Sequence, residues 1–383
     1  MTKVTDFLLT ESELRARGGG KWRKYPAGVL PAFVAEMDFK VAPAVQAAFE
    51  RLVDGSDYGY GAESDLPALF EAFASWSARR YGWNVDPALT IAAADVIQEI
   101  VATLVAYTSA GDGVIVQTPS YPPFLRVIEA TGRRLVENPL ILRDRYELDL
   151  DGLRHVAPEG RVLLLCNPHN PTGRVLERGE LEQIGAIAEE HDLVIVSDEI
   201  HADVSFVDIK HIPMETIAPG RTVTLTSATK SFNIPGARTA VMHFGSAAQM
   251  ERFVHAIPDY LLGRPSRFGI DATIAAWTDS DQWLGDVMRY LAHNRELVSQ
   301  FAASHKLIGY RAPEATFLAW LDCRELRLPG TPHDFFLESA KVGLSDGADF
   351  GAPGAGHVRL NFGTSTEILA ELLERMEAAL DEG

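Results

Sequence analysis

The sequence predicts an α/β protein in which a doubly wound, mostly parallel sheet is joined to a second, smaller α+β domain. Short apolar runs rich in β-branched residues are unbroken rather than alternating, which is typical of strands buried on both faces. These runs alternate with amphipathic helical segments, as they do in doubly wound domains. A chain of 383 residues also suits two domains better than one or three.

The predicted elements begin after an irregular segment, residues 1–40. From Pro43 onward, and again from Asp65 to Tyr81, apolar residues recur at three- and four-residue spacing, which predicts two amphipathic helices. The stretch 54–61 between them is rich in turn residues. Beyond it, helices are predicted over 96–108, 122–131 and 176–191, and strands over 113–118, 161–166, 193–197, 222–226 and 239–244.

The pattern changes after residue 270, where the helical segments lengthen. Helices are predicted over 270–277 and 283–303, followed by strands over 316–321 and 358–362. The change in pattern near residue 270 predicts a boundary between two domains. The predicted parts are an N-terminal segment 1–40 that joins the small domain, a large domain 41–270 and a small C-terminal domain 271–383.

Composition and charge argue against several classes of function. With 53 acidic and 35 basic residues, the formal net charge of −18 disfavours nucleic acid and anionic membrane surfaces as partners. Two distant cysteines, Cys166 and Cys323, predict neither a disulfide framework nor a thiolate metal cage, and the histidines are too scattered to predict a metal site. No stretch approaches the roughly 20 apolar residues of a membrane span, and residues 1–20 lack a signal-peptide core. We therefore expect a cytoplasmic protein that acts on a small molecule.

The residues that come after the predicted strands are polar and chemically varied. Tyr121 follows the strand 113–118, while Asn167 and Asp198 directly follow the next two, and Lys230 comes shortly after the strand 222–226. In an open parallel sheet, ligands bind in the crevice at the carboxyl ends of the strands. We therefore expect these four side chains to share one crevice.

Such a set suits pyridoxal 5′-phosphate (PLP). A desolvated lysine has a lowered pKa and can form a Schiff base with an aldehyde, and PLP also needs a carboxylate for its pyridinium nitrogen. Lys230 and Asp198 fit these two roles, Asn167 could donate to the phenolate oxygen, and Tyr121 could stack on the ring. Taken alone, Lys230 could be a surface lysine and Asp198 a helix cap, so the prediction depends on the whole set.

A phosphate group could be held beside this set. Arginine and hydroxyl side chains bind phosphate, and so do the backbone N–H groups at the start of a helix. The candidates for this role are Ser227, Arg238 and the backbone N–H groups of Asp95, Val96 and Ile97.

Three segments, CNPHNPTG, SDEIHAD and SATKSFNIPGAR, resemble the signatures of fold-type I PLP enzymes, the aspartate aminotransferase superfamily. The resemblance covers nearly the whole chain. Within the superfamily, the sequence is more similar to the cystathionine β-lyase/C–S lyase branch, on the evidence of MDF near the N-terminus, NPHNPTGR, and His201 where transaminases commonly have tyrosine. Other matching segments fall in order: GKW at 20–22, FVAEMDF at 33–39, YGYG at 58–61, TPSYPPF at 118–124, KHIP at 210–213 and HVRLNFG at 357–363.

The resemblance implies roles for individual residues. Lys230 would be the Schiff-base lysine and would transfer the proton at Cα, while Asp198 would pair with the ring nitrogen. Asn167 would contact the phenolate oxygen and the substrate. Arg359 would bind the substrate α-carboxylate, because arginine pairs with carboxylates through two hydrogen bonds.

The remaining implied residues are aromatic. Tyr121 would stack on the ring and take part in catalysis, and His201 would contact the cofactor. Tyr60 would reach the phosphate of the neighbouring subunit's site and take part in catalysis there, which implies a homodimer with its sites at the interface.

The activity that the resemblance implies is a C–S β-lyase that cleaves cystathionine or another S-substituted cysteine to a thiol, pyruvate and ammonia. Several alternatives stay open: PLP-dependent transamination, decarboxylation or oxidative deamination of a cysteine conjugate, and a non-enzymatic PLP-binding module. A serine hydrolase is a further alternative, because Ser227 to Lys230 spell SxxK, although the companion motifs SDN and KTG are missing. The identity of the sulfur substituent stays open.

The sequence departs from the lyase branch at two positions. Glu36 stands where aspartate is usual, which is a mild change. Asp95 stands where glycine is usual, and a carboxylate beside a bound phosphate costs electrostatic energy unless it contacts something else. Asp95 therefore either caps the following helix or marks an altered pocket.

Overall fold

The computed structural model describes residues 6–206 and 208–382. Within these residues the α-helices are α1 (Glu11–Ala16), α2 (Gly20–Arg23), α3 (Pro43–Asp54), α4 (Leu66–Tyr81), α5 (Val96–Tyr107), α6 (Pro122–Ala130), α7 (Leu150–Val156), α8 (Arg178–Glu190), α9 (Ala247–Ala256), α10 (Asp259–Leu262), α11 (Arg267–Asp279), α12 (Asp281–Ser304), α13 (Pro332–Phe335) and α14 (Thr366–Glu382). The strands are β1 (Leu30–Pro31), β2 (Thr90–Ala93), β3 (Gly113–Thr118), β4 (Arg134–Pro139), β5 (Ile141–Leu142), β6 (Tyr146–Glu147), β7 (Gly160–Cys166), β8 (Val194–Asp198), β9 (Thr222–Thr226), β10 (Ala240–Phe244), β11 (Gly309–Tyr310), β12 (Leu318–Asp322), β13 (Val342–Gly343), β14 (Ser345–Asp346) and β15 (His357–Asn361).

A seven-stranded sheet in the order β2-β10-β9-β8-β7-β3-β4 forms the centre of the fold. The neighbours from β9 to β4 pair in parallel, and β10 is antiparallel to both β2 and β9. Along β3, Val114 and Val116 belong to the hydrophobic core beside α5 and α6, while Ile115 belongs to the core beside α7 and α8. Burial on both faces explains the unbroken apolar runs, and the predicted α/β fold is confirmed.

A second, antiparallel sheet has the order β11-β12-β15-β14. Residues of α12 and α14, among them Leu291 and Leu372, share one hydrophobic core with this sheet. The N-terminal segment contacts this part of the chain, because β1 pairs in parallel with β13 through Leu30 and Val342. The domain boundaries given above stay a prediction.

The structure corrects the expectation of an irregular N-terminal segment. Helix α1 begins with a capping box in which Thr10 and Glu13 each accept a hydrogen bond from the other's backbone N–H, at 3.3 and 2.8 Å. Strands β2 and β4 were not predicted either. Both lie at the edges of the central sheet, where the residues of β4 alternate between buried and exposed and so form no continuous apolar run.

No helix within 6–206 and 208–382 is both long enough and apolar enough to span a membrane. The same residues contain no group of three or more His, Cys, Asp or Glu side chains that could hold a metal ion.

Candidate active site

A cavity of about 390 Å³ lies at the carboxyl ends of the parallel strands. Because each strand of a parallel sheet ends at this edge, residues distant in sequence meet there. Nine of the predicted site residues line it: Asp95, Val96, Ile97, Tyr121, Asp198, His201, Ser227, Lys230 and Arg238.

The amine of Lys230 is held by a neutral partner. Its Nζ donates a hydrogen bond to the backbone carbonyl of Ala35 at 2.8 Å. Burial, together with the charge of Arg359, lowers the pKa of Lys230 to about 8. An amine with this pKa is partly unprotonated near neutral pH, and it can then act as a nucleophile or a base.

The same contacts disfavour the serine hydrolase alternative. Ser227 Oγ donates to the carbonyl of Thr239 at 2.5 Å and accepts the backbone N–H of Thr229 at 3.1 Å, whereas Lys230 turns to Ala35. A serine nucleophile needs its base within hydrogen-bond reach, and these hydrogen bonds do not join the serine to the lysine.

Asp198 ends β8 beside Cys166, the last residue of β7. The backbone N–H of Ile200 donates to its Oδ1 at 3.1 Å. Burial nevertheless raises the pKa of Asp198 to about 7, and the neighbouring Glu199 adds to this effect. A cationic partner in the cavity, such as a protonated ring nitrogen, would bring that pKa down again and keep the carboxylate charged.

Two further side chains near the cavity have a nitrogen that donates no hydrogen bond to any of the described residues. Asn167 is fully buried; its Oδ1 accepts the N–H of Leu176 at 3.0 Å, but its Nδ2 has no partner. Arg359 is also buried, and its Nε is unpaired. Because buried donors are nearly always hydrogen-bonded in native proteins, both nitrogens are candidates to bind a ligand.

Arg359 reaches the site from β15, and Asn170 connects it to the cavity. One Nη donates to Asn170 Oδ1 at 2.9 Å, and the other donates to the carbonyl of Phe33 at 2.9 Å and to Ser345 Oγ at 3.2 Å. Burial lowers the pKa of Arg359 to about 10, which leaves it charged at neutral pH. Asn170 lines the cavity and was missed, although it lies within the motif CNPHNPTG.

The buried His201 and the half-buried Tyr121 line the cavity as uncharged groups. Burial lowers the pKa of His201 to about 3, with smaller effects from Lys230 and Arg359, and the ring is therefore neutral at physiological pH. Burial also raises the pKa of Tyr121, which precedes α6 and packs edge-on against Phe124. Neutral rings suit contact with an aromatic ligand.

The N-terminus of α5 forms one wall of the cavity. Asp95 caps this helix, since its Oδ1 accepts the backbone N–H of Gln98 at 2.8 Å. Its other oxygen, Oδ2, pairs with Arg238 at 2.7 Å. Of the two predictions for Asp95, helix capping is confirmed, and the ion pair with Arg238 is an addition that the sequence did not indicate.

Tyr60 lies outside the cavity of a single chain, and its side chain is fully exposed. Its predicted contact requires a second copy of the chain and stays a prediction. The neighbouring Tyr58 stacks on Phe268 with ring centroids 6.0 Å apart.

The residues present fit PLP. The side chains described above provide an amine with a lowered pKa on Lys230, a buried carboxylate on Asp198 and an unpaired amide donor on Asn167. A helix N-terminus with Arg238 nearby provides a place for an anion.

Residues 34–376 match the family model described as aminotransferase class I and II. This chain belongs to that family. It is 31% identical to cystathionine β-lyase PatB of Bacillus subtilis, over 92% of each chain, and 31% identical to the cystathionine β-lyase of Corynebacterium glutamicum, over 96% of this chain and 98% of the relative. The structure of cystalysin from Treponema denticola, which contains PLP, superposes with a TM-score of 0.91 at 28% identity over 98% and 99% of the two chains.

The N-terminal stretch 33–39 was quoted for its resemblance to this family but given no role, and it covers part of the site. Its carbonyl groups accept hydrogen bonds from Lys230, Arg359, Asn233 and Asn361, at 2.6 to 3.0 Å. Asn233 Oδ1 also accepts the N–H of Met37 at 2.9 Å. No local pattern in the stretch signals these contacts, because the four side chains that make them lie about 200 or more residues away along the chain.

Glu99 is a buried carboxyl that sequence reasoning missed. It lies on α5, is fully buried, and neither oxygen has a hydrogen-bond partner among the described residues. Burial raises the pKa of Glu99 well above its usual range, and the charges of Asp95 and Asp198 raise it further. The folded protein therefore holds Glu99 protonated at a pH where the unfolded chain has already lost that proton.

We expect the Glu99→Gln variant to be more stable than the parent at neutral pH. A group with a raised folded-state pKa stabilises the protein fully below its unfolded pKa, about 4.3 for glutamate, and this stabilisation is lost as the pH rises toward the folded pKa. The advantage of glutamine should reach on the order of 1–3 kcal/mol at pH 8 and shrink toward pH 4.5. Thermal unfolding of the cofactor-free protein across this pH range measures it. Glu129→Gln, a change at an exposed position on α6, is the control. A Glu99→Gln variant that is destabilised at every pH would contradict the prediction, because it would show that the folded protein stabilises the charged form of Glu99.

Proposed function

We propose that this chain binds PLP and is a C–S β-lyase, which cleaves cystathionine or another S-substituted cysteine to a thiol, pyruvate and ammonia. The observation that carries the proposal is one cavity that combines the low-pKa amine of Lys230, the buried carboxyl of Asp198 and the nearby unpaired amide of Asn167. The names of the relatives from Bacillus subtilis and Corynebacterium glutamicum support the choice of reaction.

The chain's own residues have separate tasks in this reaction. Arg359 binds the substrate α-carboxylate, for which its unpaired Nε is available, and so positions Cα for the reaction. The unprotonated amine of Lys230 then removes the Cα proton, a step that its lowered pKa favours. PLP, when bound, takes up the negative charge that develops at Cα.

Asp198 and Asn167 act on the cofactor rather than on the Cα proton. The carboxylate of Asp198 would hold a proton on the ring nitrogen of bound PLP, because the paired charges would stabilise each other in a buried setting. The Nδ2 of Asn167 would donate to the phenolate oxygen and so gain the hydrogen bond that it otherwise lacks. Together these two residues would hold the cofactor and favour its protonated form.

A homodimer whose sites lie at the subunit interface is part of this proposal. The side chains of Tyr58 and Tyr60 are exposed in the single chain, as expected of residues that contact a second copy. The cytoplasmic location predicted above stays a prediction.

The activity can be tested by incubating the PLP-loaded protein with cystathionine and a panel of S-substituted cysteines. We expect pyruvate and a free thiol to form with no keto acid present, because elimination needs no amino-group acceptor. A lactate dehydrogenase assay measures the pyruvate, and a thiol reagent measures the leaving group. Product formation that depends on added keto acid would instead indicate an aminotransferase, and carbon dioxide or peroxide release would indicate decarboxylation or oxidative deamination.

A further inference from the structure

The ion pair between Asp95 and Arg238 lies where a cofactor phosphate would bind. Both residues line the cavity beside Ser227, and Asp95 Oδ2 lies 2.7 Å from an Arg238 Nη atom. The other Asp95 oxygen caps α5 through the N–H of Gln98. The Asp95 carboxylate thus contacts the Arg238 guanidinium and one N–H group at the end of the helix. Both kinds of group bind phosphate when they are free.

The backbones of both residues of this pair are held in place. Arg238 adopts a left-handed conformation, with φ +55°, and its carbonyl accepts the N–H of Ser266 at 3.2 Å. Asp95 is held in place by its cap. A phosphate that enters the cavity therefore meets an arginine whose charge is already partly balanced, and it meets a carboxylate of like charge nearby.

We propose that Asp95 sets the affinity of this site for the cofactor phosphate by sharing Arg238 with it. The inference rests on the proposed binding of PLP. Asp95 weakens the hold on the phosphate through like-charge repulsion and competition for the guanidinium, while its cap preserves the end of the helix. Asp95 is thus a positioning residue that tunes cofactor retention and takes no part in proton transfer.

Two variants separate the charge of Asp95 from its cap. Asp95→Ser keeps a good N-cap, Asp95→Asn keeps the shape, and both remove the charge. We expect each to lower the Kd of the cofactor-free protein for PLP, and for inorganic phosphate, on the order of tenfold, equivalent to ~1.4 kcal/mol. Equilibrium dialysis measures both constants. Binding of pyridoxal, which has no phosphate, should change little.

The matched control is Asp149→Ser. Asp149 caps α7 by accepting the N–H of Gly152 at 2.8 Å, and it does not line the cavity. This change removes the same charge and keeps the same kind of cap, so it should leave the Kd for PLP unchanged. Circular dichroism and the thermal midpoint of each cofactor-free variant verify that the protein stays folded.

A double-mutant cycle with Arg238→Gln adds a second test. If Asp95 shares the guanidinium, losing Arg238 should weaken PLP binding more in the Asp95→Ser background than in the parent. Equal or weaker PLP binding by both Asp95 variants would overturn the inference, because Asp95 would then be aiding phosphate binding. Failure of the parent protein to bind PLP at all would instead overturn the proposed function.

Discussion

Replacing Lys230 with alanine is expected to abolish turnover of S-substituted cysteines, with a loss of at least on the order of 10³-fold in kcat. Among the described residues that line the cavity, Lys230 is the only lysine, so the variant removes the low-pKa amine that takes up the Cα proton. It should also lose the visible absorption of lysine-bound PLP. Steady-state pyruvate assays and an absorption spectrum measure the two effects.

The fold should survive this change. Lys230 gives up one hydrogen bond to the carbonyl of Ala35, while the cost of burying an amine disappears. The thermal midpoint of the cofactor-free variant should therefore remain close to that of the parent. Lys306→Ala, at an exposed position, serves as the control and should keep full activity. Turnover by a folded Lys230→Ala protein at the parent rate would refute the assignment of Lys230.

The second large effect is expected for Asp198→Asn. The amide keeps the size of the side chain and can still accept the N–H of Ile200, but it cannot hold a proton on the ring nitrogen by charge. Loss of one partner of a buried charge pair costs about 3–5 kcal/mol. If this cost is felt in the transition state, kcat should fall on the order of 10²–10⁴-fold. Steady-state kinetics of pyruvate release, together with PLP binding by dialysis, measure the effect.

The matched control for Asp198 is Asp192, which lies just before β8, the strand that Asp198 ends. Asp192 is exposed and adopts a left-handed backbone conformation that asparagine tolerates, so Asp192→Asn should leave kcat unchanged. Asp198→Glu keeps the charge but lengthens the side chain, and it should recover part of the lost activity. An Asp198→Asn protein with the parent kcat would show that the buried carboxylate does not act on the cofactor.

Much of the site could be predicted from the sequence because its residues follow buried strands. The strand predicted over 113–118 matches β3, and the one predicted over 222–226 matches β9. Once parallel strands are recognised, topology brings the residues after them to one edge. Tyr121, Asp198 and Lys230 line the cavity for this reason.

Other features were beyond sequence reasoning. The stretch 33–39 contacts Lys230 from 195 positions away, and Asp95 pairs with Arg238 across the cavity wall. Edge strand β4 was missed because its exposed face breaks the apolar run. The buried Glu99 was missed because a single carboxyl within a helical pattern gives no sign of which way it faces.

The sequence by itself thus determined five of the seven strands of the central sheet, the family resemblance and the identity of the residues at the strand ends. Only the tertiary structure decided which partners those residues have: the Ala35 carbonyl for Lys230, Asn170 for Arg359 and the Arg238 guanidinium for Asp95. The physical reason is that strand and helix patterns report burial, which has a local period. Individual hydrogen bonds and ion pairs depend on how distant elements pack, and no periodicity in the chain encodes that packing.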